Sequence, residues 1–323
     1  GSGGGDGQRP QAEDDDPVGV AGGPEVRYTR MRGGDDADPD SDAFWEDTVS
    51  WLHTEMLTMS IAKDHPDILA EAVVILSKWR DTLPKSVWVR VVKSGRIAKE
   101  LNEIAPVIFH TRMQLDKIGV PTNPDERANI VDLCSGFGYM GMFLAEMLDP
   151  AKVQNIVLVD KQWPMFNQRK ALPHQINWDH IYGVGDWKPR WPIRLFTRKN
   201  NIKEASQLRQ MERHLFQKWP GPFIILAVHL CGTLSIKAVE MFNHHATAAT
   251  LCLKPCCLPE WDHTFSHDSW IVGGHCIPTR DVCAQGKWKA NRWVGPPRSH
   301  LRGKFSAWAG HLLQGIELSD DQK

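Results

Sequence analysis

Residues 129–141 read Asn-Ile-Val-Asp-Leu-Cys-Ser-Gly-Phe-Gly-Tyr-Met-Gly, and this stretch decides the fold. Its first half is apolar apart from one acid, which is typical of a buried strand. Gly136 and Gly138 then allow a tight turn in which the backbone can approach a ligand without an intervening Cβ. A helix over 139–148 follows and directs its free N–H groups at that ligand. This order of strand, glycine turn and helix predicts a site for a nucleotide-type cofactor.

The acid on the strand helps to choose the cofactor. The spacing Gly136-x-Gly138-x-x-Gly141 also satisfies the dinucleotide-binding pattern, but Asp132 would repel a pyrophosphate held in the turn. S-adenosylmethionine carries an ammonium and a sulfonium and no phosphate, so Asp132 can bind its amino-acid end directly or through water. The sequence therefore favours S-adenosylmethionine, while NAD and a purely structural glycine turn remain open alternatives.

Two further acids are expected to reach the same cofactor. A second apolar run ends in Asp160, where a carboxylate accepts hydrogen bonds from ribose hydroxyls in NAD and S-adenosylmethionine proteins alike. Asp186 follows the expected third strand, where such folds contact the adenine. The predicted cofactor-binding set is Asp132, Cys134, Ser135, Gly136, Gly138, Tyr139, Asp160, Lys161, Asp186, Trp187 and His229.

The composition predicts a soluble globular protein. The 323 residues are 41% hydrophobic, and no uninterrupted apolar run approaches 18 residues, so no membrane contact is expected. A charged-then-apolar leader is also missing, which argues against secretion. Seven cysteines, an odd number, indicate reduced thiols in an intracellular compartment, cytoplasmic or nuclear. The sequence does not indicate an oligomeric state.

The net charge of −1 hides an uneven distribution. Residues 1–47 hold 13 acidic residues against 4 arginines, which leaves 34 basic and 26 acidic residues for the rest of the chain. Such a basic body would attract a polyanion, and the acidic arm would compete for the same surface. The simpler alternative is that the arm, residues 1–42, is a solvated disordered tail.

Periodicity divides the rest of the chain in two. Apolar residues at steps of three and four predict a helical layer over 43–120, expected to pack beside the cofactor domain or to cover its mouth. From 121 to 323 strands and helices alternate, which predicts an α/β fold: a doubly wound, Rossmann-like, mostly parallel sheet. Residues 258–300 are expected to be an irregular insertion over the active site. The predicted strands are 129–134, 155–160, 180–184, 222–229, 248–254 and 314–318, and the predicted helices of this part are 139–148, 202–219, 234–243 and one near 305–312.

Chemically reactive side chains follow two of these strands. A fully apolar strand delivers His229-Leu-Cys231-Gly, and the next strand delivers Lys254-Pro-Cys256-Cys257. These motifs, preceded by Asp-Leu-Cys-Ser-Gly-x-Gly-Tyr, resemble the class I methyltransferases that include the tRNA acceptor-stem 2′-O-methyltransferases. The resemblance covers roughly 128–260 and implies methyl transfer from S-adenosylmethionine. The zinc-finger clusters that accompany the tRNA enzymes are missing here, so the resemblance implies a methyltransferase more firmly than it implies its substrate.

Three mechanisms fit the catalytic candidates. His229 can act as general base on a hydroxyl, because an ordinary imidazole has a pKa of about 6.5, and Lys254 can orient or deprotonate the same hydroxyl. Alternatively, Cys231 or Cys256 can be a nucleophile that adds to a pyrimidine. Positioning alone can also suffice, because the sulfonium is already activated. A purely structural role is open for each of these residues.

No metal site is predicted. Seven cysteines and histidines lie within 28 residues between Cys256 and Cys283, and His263-x3-His267 has helical ligand spacing. However, adjacent cysteines without a C-x2-C knuckle argue against structural zinc.

The insertion carries the strongest indication of a substrate. From Arg280 to Lys304 seven basic residues face a single acid, with two tryptophans between them, and residues 161–219 are also basic and contain five tryptophans. Basic groups can hold phosphates while indoles stack on bases; a solvated loop pinned by buried tryptophans is the alternative. The predicted substrate-binding residues are Lys287, Trp288, Arg292, Trp293 and Arg298.

The sequence therefore predicts an S-adenosylmethionine-dependent methyltransferase acting on RNA, tRNA-like and at a ribose 2′-hydroxyl. One alternative is a small-molecule or protein methyltransferase with an aromatic pocket. Another is a catalytically idle RNA- or protein-binding module on the same fold.

Overall fold

The computed structural model describes residues 42–92, 96–165, 167–289 and 292–318. The acidic arm lies outside these ranges, and so does the prediction made for it. No helix in the described ranges combines the length and apolar composition needed to cross a bilayer.

The centre of the molecule is a parallel five-stranded sheet in the order β3-β2-β1-β4-β5. This order reverses direction at β1, so connections run to both sides and helices cover both faces, as in a doubly wound fold. The predicted fold class is therefore confirmed. The strands are β1 (Ala128–Leu133), β2 (Val153–Asp160), β3 (Arg194–Lys199), β4 (Phe223–Val228) and β5 (Ala248–Lys254).

Within the described residues, five α-helices precede the sheet and form the helical layer. A long helix, α5, ends this layer and continues through Pro106. Apolar side chains of the layer join one face of the sheet in a single core, in which Leu76 and Leu101 share a cluster with Ile130. These helices are α1 (Asp42–Leu57), α2 (Ser60–Asp64), α3 (Pro66–Thr82), α4 (Lys85–Val92) and α5 (Arg96–Ile118).

The opposite face of the sheet packs on helices from the second half of the chain. Side chains alternate along each strand, so Ile130 faces the helical layer while Val131 faces this second cluster. The π-helical turn Glu212–Phe216 extends α8, so the helix predicted over 202–219 begins later and changes pitch. The remaining helices are α6 (Tyr139–Met147), α7 (Asp179–Tyr182), α8 (Ala205–Met211), α9 (Leu234–His244), α10 (Thr279–Val282) and α11 (Leu301–Gln314).

The third strand was predicted in the wrong place. Residues 180–184 belong largely to α7, which begins where the Asn177 side chain accepts the backbone N–H of Asp179. The true strand β3 lies at the sheet edge and carries four basic or polar side chains among its six residues. Edge strands tolerate such charge, and this composition concealed the strand from an apolar pattern search.

The last strand was also predicted wrongly. Residues 315–318 follow α11 without forming a strand. The amide of Asn243 donates to Gly315 O and accepts from the backbone N–H of Glu317. This side chain on α9 provides the hydrogen bonds that a neighbouring strand would have provided.

The insertion over 258–300 is more regular than predicted. It contains two antiparallel hairpins, β6 (Ser269–Val272) with β7 (His275–Pro278), and β8 (Lys287–Lys289) with β9 (Arg292–Val294). Val272, Ile277 and Trp308 form a third apolar cluster there together with side chains of α9. The insertion is therefore anchored on α9 and α11 by a core of its own.

Candidate functional site

The turn after β1 is held in an unusual backbone conformation. Cys134, Gly136 and Gly138 all have positive φ, at 55°, 53° and 92°. Such a value is rare for a residue with a Cβ, so Cys134 stores backbone strain of the kind found at functional sites. The carboxylate of Asp160 accepts the Gly136 N–H at 3.1 Å and the Gln162 N–H at 2.8 Å.

The glycines also bring α6 close to β2. A Cβ at Gly138 would lie 2.7 Å from Leu158 Cδ1, and a Cβ at Gly141 would lie 2.3 Å from Leu158 Cδ2. Both positions therefore need glycine for helix–strand packing. Because the start of α6 is buried against β2, the orientation of the glycine turn that leads into it is fixed.

A cavity of about 590 Å³ opens beside this turn, at the carboxyl ends of β1 and β4. This is the edge at which doubly wound sheets bind ligands. Its walls combine the strand ends and the turn with the helical layer, which contributes Arg90, Arg96, Glu100 and Ile104. The described lining includes none of residues 258–300, and the helical layer covers the site, which is one of the two positions expected for that layer.

Two ionisable side chains, one acidic and one basic, leave polar atoms without hydrogen-bond partners in this cavity. Asp132 is buried, and its Oδ2 has no hydrogen-bond partner among the described residues. Burial raises the pKa of its carboxyl well above the ordinary value. Arg90 lies 3.4 Å from Asp179 through Nη1, while its buried Nε and Nη2 have no partner in the described structure. An unpaired acceptor and unpaired donors in one cavity suit a ligand that carries both an ammonium and a carboxylate.

His229 occupies the end of β4 in a left-handed conformation, with φ of 62°. Its Nε2 lies 3.3 Å from Glu100 Oε2 and 3.0 Å from Glu103 Oε2, although the N–H points straight at neither oxygen. Contact with Glu100 and then with Glu103 raises the pKa of His229 to about 9. A pKa raised in this way favours the imidazolium, which donates hydrogen bonds, and the general-base role of His229 stays a prediction.

The comparison with known families agrees with this geometry. A family model described as a methyltransferase domain matches residues 98–263, which is half of the chain. The chain belongs to this methyltransferase-domain family. No curated protein matches it. The matched region of the methyltransferase domain begins within α5 and includes Glu100, Asp132 and His229, so it contains most of the cavity.

Other predicted cofactor residues of the methyltransferase domain lie around the cavity to different extents. Cys134, Ser135 and Tyr139 line it, and the Tyr139 hydroxyl donates to Val91 O at 2.7 Å. Asp160 braces the turn from behind, and Lys161 is exposed next to it.

Asp186 and Trp187 lie away from the described lining. They follow α7 rather than a strand, so the premise of the adenine contact was wrong. Asp186 is exposed, and the Trp187 indole donates to Thr82 O in the helical layer.

Three thiols of the methyltransferase domain converge beyond β4 and β5. Cys231 Sγ lies 3.2 Å from Cys256 Sγ and 3.4 Å from Cys257 Sγ. Contact with these two thiols lowers the pKa of Cys231 to about 3. Lys254, the other candidate, is exposed and donates to Glu103 O at 3.0 Å. The structure thus brings the cysteine candidates together and places Lys254 against the backbone of α5.

The basic insertion holds the predicted substrate residues on its second hairpin, where Trp288 pairs with Trp293 through the backbone. The side chains of Lys287, Trp288, Arg292 and Arg298 lie outside the described part of the structure. Trp293 is half-buried; its indole donates to Pro296 O and its ring covers Gly286. This tryptophan pins the loop, as the structural alternative expected.

The tryptophans of the second basic stretch also pack inside the protein. Trp163 is buried, and the other four pack partly against the two apolar clusters of the sheet. They support the fold rather than forming an exposed stacking surface.

Sequence reasoning allowed the helical layer to cover this site but did not identify which of its residues line the cavity. Arg90 and Glu100 lie on amphipathic helices that precede the sheet, and no motif marks them. The only sequence feature that could have indicated Arg90 and Glu100 is a charged residue beside an apolar stripe, and any surface helix has such residues.

Proposed function

We propose that the protein is an S-adenosylmethionine-dependent methyltransferase. The observation that carries the proposal is a set of unpartnered polar atoms in the cavity beside the glycine turn, namely Oδ2 of Asp132 and Nε and Nη2 of Arg90. An α-amino acid end presents an ammonium and a carboxylate, so it complements both groups. NAD would instead bring a pyrophosphate close to the buried Asp132 carboxylate.

The residues present fit this cofactor. Asp132 would accept hydrogen bonds from its ammonium, Arg90 would donate to its carboxylate, and Asp160 offers remaining lone pairs to ribose hydroxyls. S-adenosylmethionine supplies an activated methyl group, so the protein has only to orient the acceptor and exclude water. Because contact with Glu100 and Glu103 raises the pKa of His229, this imidazole is better suited to orienting an acceptor oxygen than to removing its proton.

Calorimetric titration with S-adenosylhomocysteine tests the cofactor. Full-length protein should bind it with micromolar affinity, and Asp132→Asn and Arg90→Met should each weaken binding about tenfold to a hundredfold, because a hydrogen bond to a charged group contributes roughly 1.5–3 kcal/mol. Asp125→Asn and Arg213→Met are matched controls that remove exposed charges away from the cavity. Both controls should bind like the unmodified protein.

Two results would contradict the cofactor proposal. One is the absence of S-adenosylhomocysteine binding to protein with an intact circular dichroism spectrum. The other is binding of NAD in its place, which would move the chain to oxidoreductase chemistry.

We further propose RNA as the substrate class, with a ribose hydroxyl as the methyl acceptor. The support is charge: seven basic residues against one acid between Arg280 and Lys304, and 12 against four over 161–219. Phosphate contacts provide most of the affinity of such surfaces. The packing of the tryptophans leaves this electrostatic attraction as the main support for RNA binding.

Electrophoretic retention of tRNA-like RNA tests the substrate. Binding should weaken as salt rises, since each phosphate contact releases counterions. The pair Lys287→Glu with Arg298→Glu should reduce retention, whereas the pair Lys63→Glu with Lys117→Glu, which changes the net charge equally on the helical layer, should not. Equal losses in both pairs, or no retention at low salt, would remove RNA as the substrate and favour a small-molecule or protein acceptor.

A further inference from the structure

We propose that Cys231, Cys256 and Cys257 together bind a zinc ion, at a site beside the methyl-donor cavity and separate from it. The three Sγ atoms form a triangle with sides of 3.2, 3.4 and 3.7 Å. Each cysteine can offer one ligand atom, and these atoms all lie within 4.8 Å of one another.

The backbone brings the three thiols together through the sheet. β4 and β5 are parallel neighbours in which Val228 pairs with Lys254, so the residues that follow leave the sheet side by side. The pairing continues as a parallel bridge between Cys231 and Cys257, and the Gly232 N–H donates to Cys257 O at 3.1 Å. The site therefore depends on main-chain geometry that the fold sets before any ion binds.

The spacing of the sulfur atoms suits zinc. Zinc–thiolate bonds of about 2.3 Å in a tetrahedral site hold the sulfurs roughly 3.8 Å apart, so the triangle has to open by only a few tenths of an ångström. All seven cysteines are free, and none of the three sulfur separations approaches the disulfide bond length of about 2.05 Å. Binding would hold all three cysteines as thiolates, and each one that was protonated beforehand would release its proton to solvent.

The fourth position is open to an outside ligand. Among the described residues no histidine, aspartate, glutamate or further cysteine joins the group. Cys231 is exposed and the other two are partly so, so water or a small molecule can reach the ion. Three protein ligands with an open fourth position are the arrangement of catalytic rather than structural zinc sites.

Chain spacing concealed this site. The prediction of no metal considered the cysteines and histidines of 256–283, in which adjacent Cys256 and Cys257 lack a knuckle. The third ligand comes from the preceding strand, 25 residues upstream of Cys256. Among residues 256–283, His263, His267 and His275 are not in the group.

Cobalt substitution of the full chain tests the proposal. After chelator treatment, one equivalent of Co²⁺ should produce a thiolate-to-cobalt charge-transfer band that Zn²⁺ abolishes. Cys231→Ser, Cys256→Ser and Cys257→Ser should each lose most of the band. Cys276→Ser, which removes an exposed thiol on β7, should keep it.

A second measurement uses the unmodified protein and so does not depend on the folding of the variants. Alkylation followed by mass spectrometry should show Cys231, Cys256 and Cys257 protected by Zn²⁺ and released by chelator, with Cys276 modified equally in both states. A missing charge-transfer band, equal alkylation with and without zinc, or a disulfide between two of the three thiols in reduced buffer would overturn the proposal. None of these results bears on binding of S-adenosylhomocysteine, so the two proposals fail independently.

Discussion

At the scale of single residues, Gly141 and Gly310 make a matched pair. Both are helical glycines, but a Cβ at Gly141 would lie 2.3 Å from Leu158 Cδ2, whereas a Cβ at Gly310 in α11 would meet nothing within 4 Å. The same substitution should therefore change stability in opposite directions.

We expect Gly141→Ala to lower the free energy of unfolding by about 1–3 kcal/mol, the usual cost of overpacking a core. Gly310→Ala should raise it by about 0.5–1 kcal/mol, because alanine loses less backbone entropy in a helix. Urea unfolding followed by circular dichroism measures both values. Stabilisation by both substitutions would show that α6 does not need its close approach to β2.

Residue-level prediction from sequence succeeded where a motif fixed the backbone. Asp132 and the glycines of the turn lie on the cavity because strand, turn and helix are contiguous in the chain. The protonation of His229 was not predictable, because Glu100 and Glu103 come from α5, more than 120 residues upstream. Spacing along the chain contains no information about contacts of that kind.

At the scale of elements, the short helix α7 supports the glycine turn through His180. Its buried ring stacks on Phe137 with centroids 3.9 Å apart, and Nε2–H donates to Phe137 O at 2.8 Å. Burial and, to a smaller extent, the nearby Arg90 guanidinium lower the pKa of His180 to about 3. His180 is therefore neutral in the folded protein.

This depressed pKa predicts loss of stability in acid. Below the ordinary histidine pKa of about 6.5, His180 becomes protonated in the unfolded chain, but in the folded chain it stays neutral until the pH approaches 3. The free energy of unfolding should thus be constant above pH 6.5 on account of this group and fall below it, by at most about 1.4 kcal/mol per pH unit.

Denaturant titrations between pH 4.5 and pH 7.5, spanning roughly the unfolded histidine pKa, measure the effect. His180→Asn keeps a donor that does not titrate, so it should flatten the pH dependence relative to the unmodified protein. His174→Asn, which removes an exposed imidazole, should leave it unchanged. Identical slopes for all three proteins would show that His180 does not set this dependence.

Elements were predictable where one physical rule governed them. The strands β1, β2, β4 and β5 are largely apolar and lie within a few residues of their predicted ranges. β3 was not predicted because this edge strand carries charged side chains. A strand was wrongly predicted at 314–318, where the Asn243 side chain instead bonds the backbone. In both cases tertiary context outweighed the local pattern.

At the scale of the whole molecule, alternation of strands and helices was sufficient to predict the doubly wound sheet. The assembly of the cavity was not predictable, because it joins the carboxyl ends of β1 and β4 to α4 and α5. These parts are separate in sequence, and only packing of the helical layer on the sheet brings them together.

The cavity therefore lies at the interface between the helical layer and the sheet. A ligand that contacts Arg90 on one side and Asp132 on the other would stabilise this interface, since its binding free energy adds to that of helix packing on the sheet. We expect release of the ligand after the reaction to require this interface to open. We expect the turnover rate to be limited by the rate at which α4 and α5 move away from the edge of the sheet and back.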